Sequence, residues 1–283
     1  MRIQLIVISM LLLALICIHT PIFRFRLPKL RAADPNSVEV ITSWEFPNPG
    51  SQPADGVVEK YALVVGVTDY TLNPDLEYTD DDAYSWADYL ESIGYEVKLL
   101  TGYVDASTLE RELYFLLETE DGDDYVAFIF AGHGVNFFFL YSAIVLSGWP
   151  LDTAISQYAL KDIFSYADSK HIFFFFDACQ IGGMSTLVTS SERYAAMASD
   201  MIHTAIEDSS LGHGAFTYFF LIEGIIRSDY KYMEQAFDYA YDECKKRSMN
   251  PTEADGDPES YFALYPVSGS GGGGGGDFFY EIK

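Results

Sequence analysis

The chain has 283 residues, 49% of them hydrophobic and 16% aromatic, which excludes a disordered chain and suffices for one domain of about 200 residues with tails. Its formal charge is −25, and the first 33 residues hold five basic side chains and no acid, leaving −30 on the remainder; such a body repels nucleic-acid phosphates and attracts basic peptides, so no nucleic-acid partner is expected. Three cysteines, Cys17, Cys179 and Cys244, without a CxxC pair, exclude a disulfide scaffold and a thiolate zinc site and leave a thiol free to react.

From the N-terminus, the apolar run Ile3 to Ile18 suits a signal-peptide core, and continuing it through Phe23 makes it long enough to span a bilayer. Residues 1–33 are therefore expected to be a signal peptide or membrane anchor that supplies membrane contact. The protein is then secreted or membrane-anchored, with its body outside the cell. The basic flank Arg24, Arg26, Lys29 and Arg31 argues instead for a cytoplasmic body by the positive-inside rule, and that alternative stays open. Residues 34–56, with Pro35, Pro47, Pro49 and Pro53, read as a linker or extended arm. Residues 57–267 form the folded domain, and the Gly- and Ser-rich stretch opening residues 268–283 reads as a flexible tail.

Within the domain, strands and helices alternate. Tyr61 to Val67 is a short apolar, β-branched run and predicts a buried strand. Asp80 to Ile93 predicts a helix with Ala83, Trp86, Ala87, Leu90 and Ile93 on one face, capped by Thr79 or Asp80 and ended by Gly94. A strand over Tyr95 to Leu100 follows, then a helix over Ser107 to Leu117, a strand over Tyr125 to Phe130 and a helix over Ala159 to Ala167. Strands over His171 to Phe176 and Arg193 to Ala198 and helices over Ala215 to Ile226 and Met233 to Lys245 complete the pattern. It predicts an α/β fold with a mostly parallel central sheet and helices on both faces.

In such sheets ligands bind beyond the carboxyl ends of the strands. Two strands end in chemically loaded turns: Phe130 is followed by Ala131-Gly132-His133-Gly134, and Phe176 by Asp177-Ala178-Cys179-Gln180-Ile181-Gly182-Gly183. If the strands are adjacent and parallel, His133 and Cys179 emerge at one edge. Thiol catalysis needs that pairing, because a free Cys is mostly protonated at neutral pH and a His can hold its proton and return it to a leaving amine. Backbone N–H groups near Gly132 to Gly134 and at Gly182-Gly183 could supply an oxyanion hole. His213, in a second Gly-His-Gly, competes weakly as the base. Asp121-Gly122-Asp123-Asp124 and Asp255-Gly256-Asp257 lack the full ligand spacing of a calcium loop, so no metal or cofactor is expected, with calcium activation kept open.

These motifs resemble the caspase-like cysteine peptidases, including metacaspases and paracaspases, over residues 57 to 265. The resemblance is carried by Tyr61 to Tyr70, by Leu76 and Tyr78 to Ala83, by Gly132-His133-Gly134, by Asp177-Ala178-Cys179 with Gly182-Gly183, and by Gly212 to Thr217. It implies a three-layer α/β/α fold and a Cys/His endopeptidase acting on protein or peptide substrates, with Gly134 and Cys179 forming the oxyanion hole. A catalytically silent scaffold of the same fold is the alternative. Ala131 stands where many members have Ser, and Ile181 replaces a Ser after the nucleophile. The apolar stretch Phe137 to Leu146 is expected to be a hairpin. The resemblance also puts a P1 pocket between Asp177 and Asp82, and two carboxylates there imply cleavage after Arg or Lys.

Overall fold

The computed structural model describes residues 29–267. The apolar run and the glycine-rich tail lie outside the described residues, and among the described residues no helix is long and apolar enough to cross a membrane.

Two short strands come first, β1 (Lys29–Leu30) and β2 (Val38–Ile41), followed by β3 (Lys60–Val67) and helix α1 (Thr79–Ser92). Then come β4 (Glu96–Gly102), α2 (Ala106–Thr119), β5 (Tyr125–Ala131), the hairpin β6 (Gly134–Phe137) and β7 (Tyr141–Leu146), β8 (Asp152–Ser156) and α3 (Gln157–Ile163). The chain continues through β9 (His171–Asp177), a 3-10 turn over Gly182–Leu187, β10 (Arg193–Met197), β11 (Ile206–Asp208) and β12 (His213–Gly214). Helix α4 (Ala215–Thr217) runs into a π-helical stretch Tyr218–Arg227, and α5 (Met233–Lys245) and β13 (Thr252–Asp255) close the domain.

The central sheet has six strands in the order β13-β10-β9-β5-β3-β4, all parallel except the edge strand β13. The run Phe173 to Phe176 shows why its strands read as unbroken apolar runs. Alternate side chains point to opposite faces, and here both faces are covered. Phe173 and Phe175 join Trp86 and Leu90 of α1 and Phe216 and Phe220 after β12. Phe174 and Phe176 join Leu113 and Leu117 of α2 and Leu160 and Phe164 at α3. The result is the expected three-layer α/β/α arrangement.

A second sheet, β2-β8-β7-β6, flanks the first. The apolar stretch after His133 forms its antiparallel β6–β7 hairpin, buried along β7, while the tip residues Phe138, Phe139 and Leu140 are 86%, 73% and 68% exposed. Residues 34–56 hold more structure than a linker: β2 pairs in parallel with β8, and Phe46 is buried against Tyr114 and Tyr166. Proline spacing hides this, because a short strand at a sheet edge has too few residues for a periodic signal. A third sheet, β1-β11-β12, joins the N-terminal arm to the loop after β10.

Candidate active site

Strands β5 and β9 are direct parallel neighbours, and their last pairing joins Ala131 to Asp177. His133 and Cys179 each lie two residues beyond that pair, so equal register delivers both to one sheet edge. The Gly132 N–H donates to the Asp177 carbonyl at 3.2 Å, tying the two loops together. They also touch at Gly134, where a Cβ would lie 2.1 Å from the Cys179 carbonyl oxygen. Only glycine permits that approach.

His133 is buried and oriented from two sides. Its Nε2 lies 2.7 Å from the Pro74 carbonyl. A carbonyl can only accept, so Nε2 carries the proton and Nδ1 keeps a lone pair. Nδ1 is buried without a hydrogen-bond partner among the described residues. Burial lowers the ring's pKa below its ordinary value, against the pull of the Pro74 and Arg31 carbonyls. The Tyr70 hydroxyl accepts the His133 backbone N–H at 2.9 Å and donates to the Val145 carbonyl at 3.3 Å, and its ring packs on the imidazole at 4.6 Å. Nothing in the sequence marked Tyr70 for this contact, although it ends the first matching strand motif.

The Cys179 thiol is also buried. Its Sγ donates to the Ala205 carbonyl at 3.3 Å and accepts the Ala205 N–H at 3.1 Å. Burial pushes the thiol up to about 12, outweighing the nearby N–H groups of Ala205 and Arg31. In this state the sulfur is a neutral thiol. The next residue, Gln180, has a left-handed backbone (φ 53°). Its N–H is held by the His203 carbonyl and its side-chain oxygen by the Asn136 N–H, which fixes the turn that presents the sulfur.

Asp82 and Asp177, fully buried, face one enclosed site that already contains a cation, the side chain of Arg31. Its Nη2 lies 2.7 Å from Asp82 Oδ2 and its Nη1 2.9 Å from Asp177 Oδ1; Nη1 also donates to the Asp177 carbonyl at 2.9 Å. Glu207 contributes a third carboxylate at 3.7 Å from Nη2. Burial alone would lower the guanidinium's pKa, but Asp177, Asp82 and Glu207 outweigh it and raise it. Burial lifts Asp177 to about 6, with Arg31 opposing and Asp82 adding to the rise.

Each acid is fixed in place by other donors. Asp177 Oδ2 accepts the Thr217 N–H and hydroxyl at 2.9 and 2.8 Å. Asp82 Oδ1 accepts the Gly214 N–H at 3.0 Å and lies 3.1 Å from His213 Nδ1. Glu207 accepts the Glu77 and Tyr78 N–H groups before α1. Gly214 is part of the pocket wall, since a Cβ there would sit 2.3 Å from Asp177 Oδ2 and 2.5 Å from Arg31 Nη2. The second Gly-His-Gly thus serves the acidic pocket; its His213 contacts Asp82. Among the described residues the guanidinium's ion-pair partners are Asp82, Asp177 and Glu207, and not Asp80 or Asp81.

The backbone around Arg31 is extended and bonded on both sides. Its N–H donates to Ala205 O at 3.3 Å, and β1 pairs antiparallel with β11. Its carbonyl accepts the Gly134 N–H at 3.0 Å, and the Ala33 N–H donates to Gly134 O at 3.1 Å. Of the two predicted oxyanion donors, Gly134 holds this carbonyl, whereas the Cys179 N–H makes no hydrogen bond to it.

The calcium candidates lie elsewhere. Asp121 to Asp124 precede β5, at the opposite end of the sheet from His133. Asp55, Asp121 and Asp123 bring one oxygen each within 4.8 Å of one another. Asp121, however, already accepts the N–H groups of Asp55 and Asp123, the ordinary bonding of a turn.

Residues 59–262 match the family model described as the caspase domain. No curated protein matches the chain significantly. Among solved structures, the crystal structure of a Geobacter sulfurreducens protein is similar in fold, at TM-score 0.56 and 11% identity. The match covers 72% of this chain and 97% of that one.

Proposed function

Because the chain belongs to the caspase-domain family of peptidases, we propose that it is a cysteine endopeptidase that cleaves after Arg or Lys, with Cys179 as nucleophile and His133 as its proton partner. The observation that carries the specificity is a guanidinium fully buried between Asp82 and Asp177. Two carboxylates at charge-assisted distance, with a main-chain carbonyl between them, match the donor fork of arginine. An acidic P1 side chain would meet like charges in a dry site.

The chemistry follows from the hydrogen-bond directions. With Nε2–H committed to Pro74 O, His133 Nδ1 is the atom free to take the thiol proton. The thiolate attacks the P1 carbonyl carbon, and the Gly134 N–H stabilises the oxygen as it gains charge. His133 then protonates the leaving amine, and water hydrolyses the thioester. Tyr70 acts as a positioning residue for His133.

Protein and peptide substrates with basic P1 residues are the partners this site suits, and none of these steps calls on a cofactor. The test is a panel of fluorogenic peptides differing only at P1, given to the Arg31→Ala chain, whose pocket is not filled by its own side chain. Turnover with Arg and Lys and none with Asp is expected. A preference for P1 Asp would sink the pocket reading.

A further inference from the structure

We propose that the N-terminal arm is this enzyme's own first substrate, with Arg31 as P1 and Arg31–Ala32 as the bond cut, so that the full chain is a self-blocked precursor that opens its own site. The inference rests on the peptidase reading above and deepens it.

The arm binds as a substrate would. An extended segment laid antiparallel on an exposed strand gains main-chain hydrogen bonds, while a pocket reads one side chain. Here β1 pairs with β11 in the register Lys29 to Glu207 and Leu30 to Ile206, and the next side chain, Arg31, fills the acidic pocket. The Arg31 carbonyl is polarised by the Gly134 N–H. The Arg31 N–H and carbonyl lie close enough to the Cys179 thiol and the His133 ring, respectively, to bias their ionisation. The unpartnered buried Nδ1 of His133 is the acceptor the reaction lacks until the thiol gives up its proton.

The reaction balances within the site plus one water. Cys179 Sγ loses its proton to His133 Nδ1 and bonds to the Arg31 carbonyl carbon. The Arg31–Ala32 C–N bond breaks, and the Ala32 nitrogen takes the proton from His133. Water then attacks the thioester carbon, the C–S bond breaks, and the thiol regains its proton. The products are an Arg31 carboxylate and an Ala32 amine.

The two products are held unequally. Downstream of the cut, the Ala33 N–H stays on Gly134 O, the Asp34 N–H on Asn73, and β2 on β8. Upstream of it, the described residues are held by the two-residue β1 pairing, by the Arg31 N–H bond to Ala205, and by the acidic pocket. The cut therefore leaves residues from Ala32 onward docked and lets the segment ending at Arg31 depart, emptying the pocket. It also parts the apolar run Ile3 to Ile18 from the domain.

The full chain, its Cys179→Ala variant and its Arg31→Ala variant are made by cell-free translation without membranes and followed by intact mass and N-terminal sequencing. The wild-type chain is expected to lose residues 1–31 and begin at Ala32, at a rate independent of chain concentration, while both variants stay whole. Cleavage of Cys179→Ala at the same bond, or a wild-type rate that rises with concentration, would overturn cutting by the chain's own cleft. If the wild-type chain stays whole while Arg31→Ala hydrolyses an added P1-Arg peptide, self-cleavage is wrong and the peptidase reading stands, the arm being a lasting inhibitor. If the wild-type chain stays whole and Arg31→Ala is also inert, both fall.

Discussion

Asp82→Asn isolates the charge of the pocket from its shape. In the native pocket Oδ2 of Asp82 lies 2.7 Å from the arginine Nη2, while Oδ1 accepts the Gly214 N–H. An asparagine must keep its oxygen on Gly214, which turns its NH2 group toward the guanidinium, donor against donor. Removing one partner of a buried hydrogen-bonded charge pair costs about 2–5 kcal/mol. Asp177 at 2.9 Å and Glu207 at 3.7 Å still face the cation, so the low end applies: about 2–3 kcal/mol, or roughly 30- to 150-fold in kcat/KM. The assay compares P1-Arg and P1-citrulline peptides in the Arg31→Ala background, with and without Asp82→Asn. Citrulline keeps the arginine outline without its charge, so the double comparison extracts the charge term. The loss should fall on the Arg peptide and largely spare citrulline. Equal losses on both peptides, or a change of less than about threefold on Arg (under 1 kcal/mol), would refute the charge argument.

Cys179→Ala should abolish turnover, and His133→Ala should lower kcat by at least ~100-fold, the lower range for a general acid–base group; peptide hydrolysis by either variant at the parent rate would remove these residues from the mechanism. Tyr70→Phe keeps the ring against His133 but leaves the buried His133 N–H without its acceptor, at a cost of about 1–3 kcal/mol; kcat should fall more than KM changes, with P1 preference unaltered. Glu120 and Glu234 are both held near pKa 7 by burial, against N–H groups of Ser169 and Asp168 for Glu120 and of Phe262 for Glu234. Between the ordinary carboxylate pKa and 7 the folded chain keeps protons that the unfolded chain has released, so their contribution to stability is complete below the ordinary value and is lost as pH rises through 7. The Tm should therefore fall from pH 5 to pH 8, and Glu120→Gln should flatten that slope; a Tm that rises over this range would contradict the assignment.

The fold was legible because its signals are local. Trp86 and Leu90 repeat at helical spacing, and the Phe173 to Phe176 run can be buried only if both faces of its strand are covered. The two loaded turns were legible for the same reason: the strands that carry them are strong, and equal offsets from the Ala131–Asp177 pair bring His133 and Cys179 to one edge. Asp82 and Asp177 needed a family resemblance, because no spacing rule joins residues on α1 and β9. Glu207 carried no signal, and Gly214 and Tyr70, though they lie inside motifs that carry the resemblance, carried none for these contacts. Glu207 stands on a three-residue strand, Gly214 on a two-residue one, and Tyr70 reaches His133 through a contact that only the folded chain creates.

Arg31 shows why the remainder stayed hidden. In the sequence it is one of four cations after an apolar run, and the natural reading of such a flank is membrane topology. In the fold its side chain lies inside the domain, 51 residues from Asp82 and 146 from Asp177 along the chain. A buried arginine with one carboxylate can be a neutral exchange for an apolar pair, since the ions lose much of their hydration. This one has two carboxylates in contact, a third nearby and a main-chain acceptor. Those acids are themselves fixed by Thr217, Gly214 and the Glu77–Tyr78 turn. A site so preorganised for a guanidinium would be costly to keep dry and empty, because three carboxylates would face one another without a cation. The arm therefore stabilises the folded chain by occupying the pocket. If the arm is cut as proposed, the vacated pocket becomes a hydrated acidic cavity whose three carboxylates suit another basic side chain.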